Sequence, residues 1–320
     1  MERRRTGALR HNLKTMRPMK IHAFSKAATA LLLLLVVVML LRIPLNYEHS
    51  KSDFQSGCED RSLAPDHALN ARLQPFETMP ENVGDALSAI LKKRSNSRAT
   101  FVQIGANNGV MFDPLYPHIK TKKSAWIGLQ VEPQPVLFSS LAVLHADAPD
   151  WAFYHGALVS PKLCINGTLP FCETKTPGEG TWLTQGQLNS VFERDSTIGC
   201  NPRFMHTKLR PCVTSFDQLI GNHASPVFLK HALHKSKLSN SRFNIDFLQI
   251  DVEGKDYEVL KMINWDTLYP QCIHYEHSHL DKLTDEPSAR QDLEEKGYTL
   301  VKGEYDVLAC LIVTKSKNAT

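Results

Sequence analysis

One short apolar run followed by a glycine turn constrains the fold of this chain more than any other feature. Phe101 to Ile104 is rich in strand-forming residues, and the sequence Gly-Ala-Asn-Asn-Gly follows at once. A chain that turns tightly after a strand needs backbone angles that glycine adopts freely and that asparagine tolerates. The candidate ligand-binding turn therefore consists of Gly105, Ala106, Asn107, Asn108 and Gly109.

A second apolar run ends in an acid. Trp126 to Val131 reads as a strand, and Glu132 follows it directly. A strand, a glycine turn, a second strand and a terminal acid about twenty residues after the turn are typical of a nucleotide-type cofactor site in an α/β sheet. The carboxylate can accept two hydrogen bonds from a ribose diol. The turn departs from the Gly-x-Gly-x-x-Gly pattern of nicotinamide dehydrogenases.

Two further strands end in polar side chains. Asp251 and Glu253 follow the run Ile245 to Ile250, and residues two apart on a strand point to the same face. They should project together at the carboxyl end of the strand, where α/β sheets bind ligands. His274 and Glu276 share one face of the next strand. An alternative role for Glu253 is to cap the helix that follows.

The order of the elements predicts the fold class. About seven strands alternate with helices, and the chain closes with an antiparallel pair at 298–302 and 306–313. This pattern predicts an α/β three-layer sandwich with a mostly parallel sheet and a C-terminal antiparallel hairpin. Residues 160–212 interrupt the rhythm and form an insertion, which either shapes the acceptor pocket or is a disulfide-tied surface loop.

Three motifs together resemble the FkbM-type family of S-adenosylmethionine-dependent methyltransferases. They are Gln103–Gly109, Val131–Pro133, and Ile250–Gly254 followed by Tyr257–Leu260. The resemblance extends from about residue 98 to residue 314. It implies a Rossmann-like class I methyltransferase fold, S-adenosylmethionine as the cofactor, and O-methylation of a hydroxyl group, often on a sugar or polyketide.

The resemblance also implies roles for the residues at the strand ends. The turn residues would contact the cofactor, Glu132 would hold its ribose, and Asp251 would face both cofactor and acceptor. Asp251 and Glu253 would orient the acceptor or take its proton, with His274 and Glu276 as second candidates. A sulfonium donor needs no metal, and two carboxylates are too few to predict a cation site. The family commonly has an Asp before the turn, where this chain has Gln103.

The N-terminal part has the layout of a membrane anchor. Residues 1–26 carry a net charge of +7 against +4 for the whole chain, so the remainder carries −3 and nucleic acid is not an expected partner. The apolar segment at 27–45 predicts a single-pass type II signal anchor, with a cleaved signal peptide as the alternative. Residues 46–80 read as a stem. Residues 81–320 would be a lumenal catalytic domain in the Golgi or endoplasmic reticulum.

The cysteines are consistent with that compartment. Four of the seven fall within 164–212, at spacings that suit local disulfides, and we expect Cys164–Cys172 and Cys200–Cys212. Of the remaining three, Cys272 and Cys310 lie in apolar runs and are predicted to be buried thiols. Asn166-Gly167-Thr168 is a glycosylation acceptor, which predicts a glycoprotein.

Two other functions remain open at this point. A lumenal type II glycosyltransferase has the same anchor, stem and α/β domain, although the Asp-x-Asp motif of most metal-dependent members is missing. A non-catalytic, membrane-anchored methyltransferase-like protein is the second. For an enzyme, the partner would be a glycan or other small-molecule acceptor. The sequence names neither that acceptor nor the oligomeric state.

Overall fold

The computed structural model describes residues 75–94, 97–174, 205–235 and 241–313. The predicted basic tail at 1–26, the predicted anchor at 27–45 and most of the predicted stem lie outside these ranges. Within the ranges described, no helix is both long enough and apolar enough to cross a membrane.

Eleven strands form two sheets in the described part of the chain. In chain order the strands are β1 (Ala99–Ile104), β2 (Trp126–Val131), β3 (Ala152–Tyr154), β4 (Ala157–Leu158), β5 (Thr168–Thr174), β6 (Met205–Val213), β7 (Leu233–Lys235), β8 (Ser241–Ile250), β9 (Leu268–Glu276), β10 (Tyr298–Lys302) and β11 (Asp306–Leu311).

The main sheet has the strand order β10-β11-β9-β8-β1-β2-β3, with β7 paired to the start of β8. Neighbours are parallel along this path except at β11, which is antiparallel to both β9 and β10. This is the strand order of the class I methyltransferase fold. The predicted α/β fold with a C-terminal antiparallel hairpin is therefore confirmed.

Helices cover both faces of the main sheet. They are α1 (Val83–Lys93), α2 (Tyr116–Ile119), α3 (Pro135–Leu144), α4 (Phe216–His223), α5 (Pro226–Ala232), α6 (Asp256–Lys261) and α7 (Asp285–Glu295). Side chains on β1 alternate between two apolar clusters. Phe101 packs in one cluster with α1 and α2, whereas Val102 and Ile104 pack in the other with α4, α6 and α7. This alternation places β1 at the centre of three layers.

One predicted loop contains a helix. The His- and Lys-rich composition of residues 221–242 predicts a loop, but α5 and β7 lie there. The Ser225 hydroxyl caps α5 by accepting a hydrogen bond from the Phe228 amide at 3.1 Å, and Pro226 favours the first turn. Only Phe228 and Ala232 of this helix are buried, which leaves a weak apolar pattern in the sequence.

The described part of the insertion is a small sheet. β6 pairs with β4 in parallel and with β5 in antiparallel fashion, and the Cys164–Cys212 disulfide ties the insertion together. Our predicted pairing of Cys164 with Cys172 and of Cys200 with Cys212 is wrong, because Cys164 bonds to Cys212.

Cys272 and Cys310 are also disulfide-bonded, so the prediction of buried thiols is wrong. They lie opposite each other on β9 and β11, with Cα atoms 4.2 Å apart. That proximity depends on strand order, which the two local sequences do not contain.

The packed domain begins before residue 81. Phe76, which we assigned to the stem, is buried and its amide donates to the carbonyl of Leu311 at 2.9 Å. Phe76 therefore belongs to the packed domain, where it forms a β-bridge to Ile312 just beyond β11.

Asp246 is a buried acid that accepts several hydrogen bonds within this framework, and its removal should destabilise the fold. Its side chain is 2 % exposed and accepts hydrogen bonds from the Thr100 amide at 2.7 Å and the Arg94 guanidinium at 2.6 Å. Asp246→Ala leaves both donors without an acceptor, and we expect a loss of about 3 kcal/mol in the free energy of unfolding. Urea denaturation with the disulfides intact measures it.

Asp147 provides the control. It forms an ion pair with Lys123 on the surface, and Asp147→Ala should change the free energy of unfolding far less. Equal effects of the two substitutions would contradict the role assigned to Asp246.

Candidate active site

A cavity of about 820 Å³ opens at the carboxyl ends of β1, β2, β8 and β9. This is the size of a small-molecule or cofactor site. The insertion contributes Leu163 and Phe171 to its wall. The predicted site residues that line the cavity are Gly105, Ala106, Asn107, Glu132, Asp251, Glu253 and Glu276. Asn108, Gly109 and His274 are not among the lining residues.

The turn after β1 is held by hydrogen bonds within the protein. The amides of Gly105 and Ala106 both donate to the carbonyl of Val131, and the Asn107 amide donates to the Glu132 carboxylate at 2.9 Å. The Asn108 amide donates to the side chain of Asn107, and the Gly109 amide to the Ala106 carbonyl. All five N–H groups of the turn therefore have partners, and none is left for a phosphate group.

Gly105 allows β1 and β8 to meet at their ends. Its φ is +81°, and a Cβ atom added there would lie 1.8 Å from the Asp251 carbonyl oxygen. The Asp251 amide in turn donates to the Ile104 carbonyl at 3.0 Å. Gly105 is therefore needed because the segment that carries Asp251 packs directly against it.

Glu132 is a buried acid at the end of β2. Its two oxygens accept hydrogen bonds from the amides of Asn107 at 2.9 Å and Gln134 at 2.8 Å. Burial raises the pKa of Glu132 to about 7, against the lowering effect of these two N–H groups. The side chain is therefore poised to change charge near neutral pH.

A turn brings Asp251 and Glu253 into the cavity, for a reason other than the one we predicted. β8 ends at Ile250, and Glu253 has a φ of +54°, so the two acids do not share one face of a pleated strand. The left-handed backbone at Glu253 re-aims its side chain instead. Glu253 lies beside His279, whose Nδ1 atom is 3.2 Å from a Glu253 carboxylate oxygen.

His279 also contacts Glu276. The same Nδ1 atom lies 3.1 Å from a carboxylate oxygen of Glu276, and the Ser278 hydroxyl donates to the other Glu276 oxygen at 2.6 Å. One imidazole nitrogen is thus shared between two carboxylates. His279 follows β9 and Glu253 follows β8, so this arrangement depends on the pairing of β8 with β9 and is not contained in either local sequence.

The atoms of this group are also spaced as metal ligands. Glu253, Glu276 and His279 each offer one ligand atom within 4.8 Å of the others. Two carboxylates and an imidazole could hold a divalent cation or, without one, accept a proton.

Asp256 connects the segments that carry these acids. It is fully buried, and its oxygens accept hydrogen bonds from the amides of Glu276 at 3.2 Å and Gly254 at 3.3 Å. Burial, followed by the charge of Glu276, raises the pKa of Asp256 to about 8. Sequence reasoning missed this residue, because its only local signal was a position at the start of a helix.

The cavity carries a large excess of acids. Burial raises the pKa of Asp251 well above its ordinary value, and nearby Asp256 and Glu276 raise it further. Among the described lining residues, the basic side chains are His279 and Lys255, and Lys255 pairs with Glu258 at 2.9 Å. The acidic lining residues are Asp113, Glu132, Asp251, Glu253, Glu258, Glu276 and Asp306.

His274 stands behind the cavity wall. It is 4 % exposed, and its Nδ1 atom lies 2.8 Å from the side-chain oxygen of Gln249. Burial lowers the pKa of His274 to about 4, so the ring is neutral at physiological pH. It approaches the cavity only through Asp306, at 3.8 Å.

Residues 237–300 match the model of the methyltransferase FkbM domain. The match covers all of β8, α6, β9 and α7 and the start of β10, and it includes Asp251, Glu253, Glu276 and His279. Together with the strand order, it supports a methyltransferase domain with S-adenosylmethionine as its cofactor. No match was found among the curated proteins.

Several solved methyltransferase structures are similar to the chain at low identity. A human methyltransferase 10 domain containing protein is 12 % identical, with 77 % of this chain and 92 % of that chain covered and a TM-score of 0.33. A precorrin-6y C5,15-methyltransferase from Geobacter metallireducens GS-15 is 11 % identical, with 74 % of this chain and 94 % of that chain covered and a TM-score of 0.32. The N-terminal domain of human METTL16 in complex with SAH is 11 % identical, with 70 % of this chain and 66 % of that chain covered and a TM-score of 0.31. None of these likenesses bears on the substrate.

Substitution of Gly105 should separate the two strand ends. Gly105→Ala adds a methyl group against the Asp251 carbonyl at an unfavourable φ, and we expect a loss of at least about 2 kcal/mol in stability. Affinity for S-adenosylhomocysteine should fall with it. Denaturation and calorimetric titration measure the two effects.

Gly167→Ala is the matched control. Gly167 has a φ of +75° with no atom within 4 Å of an added Cβ, so the substitution introduces backbone strain without a collision. It should cost about 1 kcal/mol and leave ligand affinity unchanged. Equal losses for both variants would show that the contact with Asp251 is unimportant.

Proposed function

We propose that this chain is an S-adenosylmethionine-dependent O-methyltransferase that acts on a hydroxyl group of a glycan or another small molecule of the secretory pathway. The observation that carries the proposal is the acid-lined cavity beside a turn with no amide left for phosphate. A cofactor for this cavity should be cationic and free of phosphate. S-adenosylmethionine meets both conditions.

The same observation disfavours the rival donors. Nucleotide sugars and nicotinamide dinucleotides carry a pyrophosphate, which proteins bind with free backbone amides and basic side chains. The described cavity lining offers seven acids against Lys255 and His279. A lumenal glycosyltransferase is therefore less well supported than a methyltransferase.

The residues at the ends of β1 and β2 fit the nucleoside part of the cofactor. Glu132 lies where a ribose would be held at the end of β2, and each of its oxygens retains capacity to accept a hydroxyl hydrogen bond. The turn at Gly105–Asn107 forms the adjacent wall. The cofactor supplies an electrophilic methyl group, so the protein must position the acceptor and remove its proton.

The acids at the ends of β8 and β9 fit that second task. When a hydroxyl group is methylated, its O–H bond breaks as the new O–C bond forms, and the proton needs an acceptor. We assign this proton to the imidazole of His279, which Glu253 and Glu276 hold between them, and the orientation of the acceptor to Asp251. His274 is too deeply buried for direct contact with the acceptor.

The described part of the chain also supports the proposed compartment. The Cys164–Cys212 and Cys272–Cys310 disulfides favour an oxidising environment. Asn166, the glycosylation acceptor, is exposed next to β5. We therefore place the domain in the lumen of the Golgi or endoplasmic reticulum, anchored through residues 27–45 as a single-pass type II membrane protein.

Methyl transfer should depend on the acids and the imidazole of the second half of the cavity. The lumenal part of the chain is incubated with labelled S-adenosylmethionine and a glycan or lipid extract, and the labelled product is identified. His279→Ala and Glu276→Gln should each lower turnover roughly 10²-fold or more, with S-adenosylhomocysteine affinity retained.

Glu294→Gln, on the surface of α7, is the control and should keep full turnover. Label recovered on nitrogen, or full turnover after both site substitutions, would refute the O-methylation proposal. Binding of a nucleotide sugar in place of S-adenosylhomocysteine would favour the glycosyltransferase.

Cofactor affinity should depend on pH through Glu132. The ionised carboxylate is the form that accepts two ribose hydrogen bonds, and its pKa lies at about 7. Affinity for S-adenosylhomocysteine should therefore rise from pH 6 to pH 8, approaching tenfold per pH unit below the pKa. Glu132→Gln should bind more weakly and lose most of this dependence. Calorimetry across the pH range tests both statements, and an unchanged slope in the variant would exclude Glu132 as its origin.

A further inference from the structure

Asp113 is a buried acid with an oxygen that no protein group satisfies. The residue is 8 % exposed and lines the cavity after the glycine turn. Its Oδ1 atom accepts a hydrogen bond from the Leu115 amide at 2.8 Å, whereas its Oδ2 atom has no hydrogen-bond partner. Buried polar atoms in proteins are nearly always paired, so this oxygen indicates a ligand that completes the site.

Gln103 lies next to Asp113 but cannot replace its charge. Gln103 is 1 % exposed on β1, and its side-chain oxygen accepts a hydrogen bond from Gln130 at 2.6 Å. Burial raises the pKa of Asp113, against the lowering effect of the Leu115 backbone, the Gln103 side chain and the Tyr116 backbone, so the amide group of Gln103 lies near this acid. The carboxylate near the end of β1 is thus supplied by the loop after the turn rather than by the strand.

The order of strands indicates which part of the cofactor reaches Asp113. β1 lies between β2, which carries Glu132, and β8, which leads to Asp251. With the ribose at Glu132 and the acceptor near Asp251, the sulfur must lie over the end of β1. The amino-acid portion is also attached to the sulfur, and the cavity lining includes Gln103 of β1 and Asp113, which lies near Gln103.

We propose that Asp113 binds the α-ammonium group of the cofactor's methionine portion, through the Oδ2 atom that the protein leaves without a partner. An ammonium group presents three donors and a positive charge, which match an unpaired carboxylate oxygen in a buried position. The inference rests on the proposed function, because it takes S-adenosylmethionine as the occupant of the cavity.

A purely structural role for Asp113 makes a different prediction. Its Oδ1 atom fixes the Leu115 amide at the start of α2, and loss of that contact would disturb the loop for every ligand. Binding of the ammonium group, by contrast, affects only ligands that carry one. A pair of ligands that differ in this part of the molecule separates the two roles.

The test compares two ligands in Asp113→Asn, which keeps the Oδ1 acceptor and removes the charge. S-adenosylhomocysteine carries the amino-acid portion, whereas 5′-methylthioadenosine retains the nucleoside and lacks it. Calorimetry should show roughly tenfold or greater weakening for S-adenosylhomocysteine and a change within about twofold for 5′-methylthioadenosine. Asp147→Asn, at an exposed position, should change neither affinity.

Other outcomes of this comparison would contradict either the assignment of Asp113 or the proposed function. An equal loss for both ligands, or no loss for either, overturns the assignment of Asp113 while leaving the proposed function intact. Failure of the unsubstituted protein to bind S-adenosylhomocysteine overturns the proposed function itself. If Asp113→Asn does not fold, Asp113→Ser retains an acceptor for the Leu115 amide and gives the same comparison.

Discussion

The close approach of the Gly105 backbone to the Asp251 carbonyl allows the two halves of the cavity to meet. From it, hydrogen bonds extend in both directions across the strand ends. Gly105 is tied to Val131 at the end of β2, and Asp251 is tied to Ile104 at the end of β1. Asp256 then links the segment after β8 to the end of β9. Four strand ends are thereby fixed by backbone geometry before any ligand arrives, which is the preorganisation that methyl transfer requires.

The electrostatics of the cavity follow from this geometry. Burial raises the pKa of Glu132, Asp251 and Asp256, and neighbouring carboxylates raise the pKa of Asp251 and Asp256 further. A cationic ligand relieves this repulsion and favours the ionised forms, so binding and deprotonation are coupled. The same acids disfavour phosphate-bearing ligands, so the preference for a class of cofactor depends on the whole cavity lining rather than on one residue.

Sequence reasoning succeeded where the information is local. The apolar runs of β1, β2 and β8, the glycine turn, and the acids that follow these strands are contiguous patterns, and they led to Glu132, Asp251 and Glu253. The placement of Glu253 in the cavity nevertheless has another cause, because a left-handed residue and not strand alternation directs it.

Features that depend on tertiary contacts could not be predicted from the sequence. The surroundings of Asp113, Asp256 and His279 are formed by residues on other elements, and nothing in their own segments distinguishes them from surface polar residues. The disulfides were misassigned for the same reason, since Cys272 and Cys310 meet only because β11 returns beside β9. Helix α5 was missed because a capping serine and two buried residues left too little pattern in a polar stretch.

The pairing of β1 with β8 at the centre of the sheet also limits when the domain can fold during synthesis. Phe101 on β1 lies opposite Phe247 on β8, so the middle of the sheet joins residues that leave the ribosome far apart in time. β2 can cover one edge of β1 early in translation, but the other edge stays unpaired until the whole insertion has been synthesised. Closing so long a loop is slow, and an open edge strand invites pairing with other chains. The nascent chain should therefore rely on chaperones until β8 has emerged.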